Sequence, residues 1–180
     1  MKTQTHQTSK KQVKRRFETP AAEEAQVDRT PETVLIAGKP VKIHVLGMIL
    51  CYSRKLFYAI YRDERTSTLL EALATGFEYF QGSTIRCVFD NMATVTLGRI
   101  GRDRKPIWNS RFIEFARYYG FSPFLCAVRD PDRKGKKEKG FRLICDDFLK
   151  GSNFDSWEDM QHRLKIWLDQ TPGTGNLRIH

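Results

Sequence analysis

The chain has 180 residues, and 31 Lys and Arg against 21 Asp and Glu give it a net charge of +10. This length suits one domain with a single core, and the charge favours a polyanionic partner without identifying one. No apolar run reaches the roughly 18 residues of a membrane helix, and the N-terminus lacks the apolar segment of a signal peptide. The four cysteines include no CxxC pair, which excludes the usual zinc patterns and favours reduced, buried thiols.

The pattern in chain order predicts an α/β fold. Residues 1–20 are polar and basic, which is typical of a disordered tail. An ordered core is predicted over residues 21–170, followed by a tail at 171–180. Its first three strands form an antiparallel meander, and later strands alternate with helices in the order β-β-β-α-β-α-β-α-α. The predicted strands are 25–28 continuing at 34–37, 42–52, 55–61, 85–89 and 121–128, and the predicted helices are 66–80, 110–119, 134–149 and 157–168.

Three acidic residues stand where such a fold collects reactive groups. Asp28 is placed at the end of the first strand and Asp90 at the end of the fourth, since reactive groups in open sheets gather where strands end. Glu138 continues the apolar stripe of the third predicted helix, where a carboxylate is costly unless it is paired or binds a metal. Taken alone, each acid also has a structural interpretation: Asp28 as a turn residue, Asp90 in an Asx turn, and Glu138 as a helix-dipole and salt-bridge residue.

Basic residues form two groups that can contact a DNA backbone. The first crowds the start of the Glu138 helix, where the alternative is a solvated basic face. The second lies in the long connection 92–108, where a disordered loop is an equally good interpretation. The candidate DNA-binding residues are Arg133, Lys134, Lys136, Lys137, Lys139, Arg102, Arg104 and Lys105.

Several motifs, in this order, resemble the integrase-type core of IstA-type insertion-sequence transposases over about residues 17–170. They are EEAQVD, CYSRK, FEYFQG, VFDN, RFIEFARYYGFSP and DPDRKGKKE. The resemblance implies an RNase H-like fold with a five-stranded mixed sheet flanked by helices. It also implies a DDE triad of Asp28, Asp90 and Glu138 that binds two Mg²⁺ or Mn²⁺ ions, and phosphodiester cleavage followed by strand transfer.

The same resemblance implies the setting of the reaction. The expected partners are transposon-end and target DNA, further copies of the chain in a multimer, and an AAA+ helper ATPase, with no membrane. The expected location is the bacterial cytoplasm, on the nucleoid.

Two features depart from the family pattern. Arg29 stands where relatives more often carry an aromatic residue, so it either disturbs the strand end or adds a phosphate contact. The flanking helix-turn-helix and small β-barrel regions of the family are not apparent in 180 residues. The first alternative is therefore a non-catalytic DNA-binding fragment that modulates a full-length transposase, and the second is a structure-specific nuclease on the same fold.

Overall fold

The computed structural model describes residues 21–90, 92–126, 141–171 and 173–174. Within them there are eight strands, three α-helices, and an α-helical stretch at 141–144 that continues as a π-helical segment. The strands are β1 (Glu24–Ile36), β2 (Lys39–Leu50), β3 (Leu56–Tyr61), β4 (Arg86–Phe89), β5 (Thr96–Ile100), β6 (Lys105–Trp108), β7 (Ser122–Leu125) and β8 (Asn153–Phe154). The helices are α1 (Thr66–Phe80), α2 (Ser110–Tyr119), the π-helical segment (Cys145–Leu149) and α3 (Trp157–Gln170).

The main sheet is mixed and runs in the order β3-β2-β1-β4-β7. β1, β2 and β3 form the predicted antiparallel meander, while β4 lies parallel to β1 and β7 parallel to β4. The short β8, which the sequence pattern did not predict, pairs with the end of β1 and makes the sheet six-stranded. The predicted class and mixed sheet are therefore confirmed, with one strand more than expected.

Helices cover both faces of this sheet. On the first face, α1 packs so closely that a Cβ at Gly76 would lie 3.0 Å from the Phe57 ring. α2 adds Phe112, whose ring meets Phe89 edge-on with centroids 5.0 Å apart. On the second face, Trp167 of α3 lies 5.9 Å from the ring of Tyr58. The core is thus built from aromatic and aliphatic side chains on either side of one central sheet.

Two predicted elements differ from the structure in ways that bear on function. β1 is one continuous 13-residue strand rather than two pieces, because it pairs with β2 along its whole length. Pro31 is tolerated in this strand although it has no backbone N–H to donate. β4 borders β1 only as far as Val27, so at Pro31 this edge of β1 has no neighbouring strand that needs a donor. The predicted connection 92–108 contains an antiparallel hairpin, β5–β6, in a separate two-stranded sheet.

The remaining elements follow the sequence pattern closely. α1 and α2 have their predicted bounds, and Gly120 ends α2 in the left-handed conformation with φ of 74°. α3 begins after Ser156, whose side chain caps it, and runs two residues past its predicted end. The described part of the third predicted helix, residues 141–149, is α-helical at first and then π-helical.

The remaining predictions concern the two tails, the cysteines and membrane helices. The tails at 1–20 and 175–180 lie outside the described residues, so the domain boundaries stay a prediction. The four cysteines are predicted to be buried, but only Cys87 is fully buried, and Cys51, Cys126 and Cys145 are partly exposed. No helix in the described ranges is both long and apolar enough to cross a membrane.

Candidate active site

Asp28 lies within β1 rather than at its end, which corrects the predicted position. The strand continues for eight residues beyond it because β2 supplies backbone partners as far as Ile36. Asp28 is half-buried, and its Oδ1 accepts a hydrogen bond from the Arg29 backbone N–H at 2.9 Å. Its cross-strand partner is Gly47 of β2, so the position beside the carboxylate carries no side chain.

Asp90 directly follows β4, as the pattern predicts, and it is exposed. β1 and β4 are parallel, and their last paired residues are Val27 and Phe89. Asp28 and Asp90 are each the next residue along their strands. Neighbouring strands lie about 4.8 Å apart and side chains alternate between faces. The two aspartates therefore occupy adjacent positions on one face of the sheet.

The helical residues that follow Glu138 in the chain cover this same face. A Cβ at Gly47 would lie 3.1 Å from Cζ of Phe141, so the phenylalanine ring rests on the position beside Asp28. Further along, the Cys145 Sγ lies 3.5 Å from Oε1 of Glu32, which is four residues beyond Asp28 on β1. The segment thus runs along β1 on the Asp28 side.

The third predicted acid and one basic group lie outside the described residues. These are Glu138 with Arg133, Lys134, Lys136, Lys137 and Lys139. In the ranges that the structure covers, no cluster of three or more His, Cys, Asp or Glu side chains could hold a metal ion. Of the predicted triad, Asp28 and Asp90 are the members that the structure describes, next to each other in the register of β1 and β4.

The second predicted basic group lies on the β5–β6 hairpin. Arg102 and Arg104 are exposed in its turn, and exposed Lys105 begins β6. Arg104 adopts a left-handed φ of 50°, and its carbonyl accepts a hydrogen bond from the Arg99 guanidinium at 3.3 Å. The hairpin begins at Thr96, six residues after Asp90, so its cations are connected to the site by a short stretch of chain.

Arg29 does not extend toward the Asp28 face. It pairs with Leu46 and shares the α1 side of the sheet, where its Nη1 lies 3.6 Å from Oε1 of Glu64. His44 Nδ1 lies 3.1 Å from the same oxygen, and its ring stacks on Tyr61 with centroids 5.9 Å apart. Burial lowers the pKa of His44, and the Glu64 carboxylate opposes that effect. This cluster escaped the sequence reasoning, since no spacing pattern connects three strands with the loop before α1.

The fold is that of retroviral integrase catalytic cores. The core of bovine immunodeficiency virus (BIV) integrase aligns with a TM-score of 0.50 at 10% identity, over 84% of this chain and 86% of that one. The core of HTLV-2 integrase, solved in complex with magnesium, aligns with a TM-score of 0.51 at 14% identity, over 84% and 91%. No protein-family model matches the sequence.

At the sequence level the chain is similar to insertion-sequence transposases. It is 40% identical over 165 residues to the protein assigned as transposase of IS5376 in Geobacillus stearothermophilus, covering 91% of this chain and 41% of that protein. It is 28% identical over 164 residues to the IS21 transposase of Pseudomonas aeruginosa, covering 91% and 42%. The chain therefore spans about two fifths of the length of the curated relatives that it matches.

Proposed function

We propose that this chain is the DDE-type catalytic core of an insertion-sequence transposase, which cleaves phosphodiester bonds and joins the resulting DNA ends to a target. The observation that carries the proposal is the register of β1 and β4, in which Asp28 and Asp90 follow the last parallel pair. The integrase-core fold and the transposase homologues support the reaction class.

Glu138 completes the site in this proposal. It precedes Phe141 by three residues, a stretch that spans at most about 11 Å, and Phe141 rests on Gly47 beside Asp28. Glu138 is therefore within reach of the two aspartates. Its own position lies outside the described residues, so its role rests on sequence resemblance and on this connection.

The aspartates fit a divalent metal site, because they are adjacent hard-oxygen donors of the kind that Mg²⁺ and Mn²⁺ prefer. Asp28, Asp90 and Glu138 would hold two such ions, which stabilise the charge that develops on the attacking and leaving oxygens of a phosphodiester. The magnesium complex of the HTLV-2 integrase core supports a divalent ion here.

Two groups of cations would contact the DNA backbone in this proposal. Arg102, Arg104 and Lys105 are exposed on the hairpin, and the lysine-rich segment before Phe141 adds Arg133, Lys134, Lys136, Lys137 and Lys139. Contacts to phosphate position a duplex without reading its sequence. The partners are therefore the transposon ends and the target duplex.

The proposal extends to assembly and location. Dimeric and trimeric forms of the HTLV-2 integrase core support a multimer of this chain. The AAA+ helper ATPase stays a prediction from the family resemblance. Action on bacterial DNA would place the chain in the cytoplasm on the nucleoid.

The test uses the purified chain, a supercoiled plasmid target and a labelled duplex with a recessed 3′-hydroxyl, with Mg²⁺ or Mn²⁺. We expect metal-dependent nicking and joining that Asp28→Asn and Asp90→Asn each reduce by at least about 10³-fold. Asp169→Asn, which alters an exposed carboxylate on α3, is the matched control and should retain activity. DNA binding without any metal-dependent nicking or joining would contradict the proposal and favour the non-catalytic fragment.

A further inference from the structure

The β5–β6 hairpin is fixed at its base and exposed toward its turn. At the base, the Asn109 N–H donates to the Val95 carbonyl at 3.0 Å, and Trp108 stacks on Phe112 with ring centroids 6.0 Å apart. The buried Thr96 hydroxyl adds a contact of 3.0 Å to the Ile107 carbonyl. Isolated two-stranded hairpins are marginally stable, so these contacts give the exposed part a firm support.

The exposed part carries an unusual amount of apolar surface. Leu97 is 70% exposed, Ile100 64% and Ile107 41%. Ile100 pairs with Lys105 and Ile107 with Gly98, and positions two apart on a strand share a face, so both isoleucines project from one side. Single exposed apolar residues are ordinary, but three on one hairpin mark a contact surface.

The charge of the hairpin indicates what it contacts. Residues 96–108 contain four cations and one acid, Asp103, for a net charge of +3. The cations are Arg99, Arg102, Arg104 and Lys105; of these, Lys105 is the cross-strand partner of Ile100, and Arg102 and Arg104 lie in the turn that follows it. A base-pair step in DNA is an apolar surface flanked by phosphates, which is complementary to an apolar side chain flanked by cations.

We propose that the β5–β6 hairpin is a DNA-bending arm, with Ile100 as a wedge at a base step and Arg102, Arg104 and Lys105 on the flanking phosphates. This inference rests on the proposed function, and it goes beyond backbone contact because it adds deformation of the duplex. Wedging unstacks a base step, and this costs least at mismatches and at flexible TA or CA steps. The arm therefore selects deformable DNA without reading base edges.

The test measures binding and bending of 30-base-pair duplexes without metal, so that its outcome is independent of catalysis. One duplex carries a central two-base mismatch, a second a TA step and a third an A-tract, each with a fluorophore pair at its ends. We expect the wild-type chain to bend the mismatched duplex and to bind it at least about tenfold more tightly than the A-tract. Ile100→Ser should abolish both the bend and the preference.

Two matched variants separate the wedge from general effects. Ile85→Ser removes an isoleucine of equal exposure, 64%, from the residue before β4, and it should leave bending unchanged. The double variant Arg102→Gln and Arg104→Gln should lower the salt slope of binding by about 2 while keeping the mismatch preference.

Three results would overturn the inference. The first is equal affinity for all three duplexes with no bend. The second is an Ile100→Ser variant that bends DNA like the wild type. The third is a loss of self-association in Ile100→Ser with unchanged DNA binding, which would assign the surface to a second copy of the chain. Metal-dependent nicking by a wild-type chain that does not bend DNA would reject the arm and leave the proposed function standing.

Discussion

Gly47→Ala tests whether the helix that follows Glu138 is seated against the sheet beside Asp28. The new Cβ would lie 3.1 Å and 3.3 Å from two carbons of the Phe141 ring and 3.4 Å from the Tyr58 ring. Tyr58 is fully buried, so the Phe141 ring is the group with more freedom to move. We expect it to shift by a few tenths of an ångström and to carry the preceding residues with it.

The expected magnitudes follow from this crowding. Overpacking a core costs about 1–3 kcal/mol, and replacing a strand glycine recovers about 0.5–1 kcal/mol of backbone entropy. The net loss is therefore on the order of 1 kcal/mol, or a Tm decrease of about 2–4 °C for a domain of this size. Catalytic geometry is more sensitive, since a 1 Å displacement can cost about 10²-fold. A shift of a few tenths of an ångström at Glu138 should lower strand transfer by about tenfold.

The assay compares joining rates with thermal unfolding, and Gly76→Ala is the matched control. That change crowds Met48 and Phe57 on the α1 side of the same sheet. It should lower the Tm by about as much as Gly47→Ala or more, while activity per folded molecule stays within about twofold of the wild type. If both variants lose activity only in proportion to their unfolded fraction, the seating of Phe141 beside Asp28 does not control the site.

Two further predictions concern stability. Burial lowers the pKa of His44 below its usual 6.5, so the unfolded chain binds more protons and stability is lost as the pH falls below about 6.5 through the folded pKa. The Tm should therefore decline less on acidification to pH 5 in His44→Gln than in the wild type or in the exposed-site variant His162→Gln, and equal declines would contradict this. Ser156 accepts the Asp159 backbone N–H at 3.1 Å as the cap of α3, so Ser156→Ala should cost about 1 kcal/mol of unfolding free energy and Ser156→Asp much less, as measured by denaturant titration.

The sequence pattern predicts the helices because the residues that specify a helix lie within a few positions of one another. The apolar spacing of Leu69, Leu73 and Phe77 predicts α1, and all three are buried under the sheet. The predicted start of α3 at residue 157 is also local, since a serine directly before a helix is a common capping residue, and Ser156 caps this one. The continuity of β1 through Arg29–Thr33 depends instead on pairing with β2. This segment is polar and contains a proline, so its sequence does not predict a strand.

The hairpin is not predicted because a bulge interrupts the alternation of its short strands, even though Gly101, in the left-handed region with φ of 76°, is an ordinary turn residue. Arg104 adopts a left-handed φ without being glycine or asparagine, and the pairing shifts register between Thr96 and Gly98. Neither the bulge nor the turn can be read from hydrophobic alternation. The direction of the Arg29 side chain could not be predicted either. The sequence pattern ends the first strand at Asp28, whereas the strand continues through Arg29 and alternation places Arg29 on the opposite face from Asp28.

The sequence by itself determined that this chain is an α/β domain with one aspartate on its first strand, one after its fourth, and a basic connection at 92–108, because residue type and spacing act over a few residues. Only the tertiary structure decided that Asp28 and Asp90 are neighbours and that Phe141 rests beside them. Those relations depend on the parallel register of β1 and β4 and on the close approach permitted by Gly47. Register and close packing both involve residues that are far apart in the chain. The register and the packing are set together, by backbone pairing and by excluded volume.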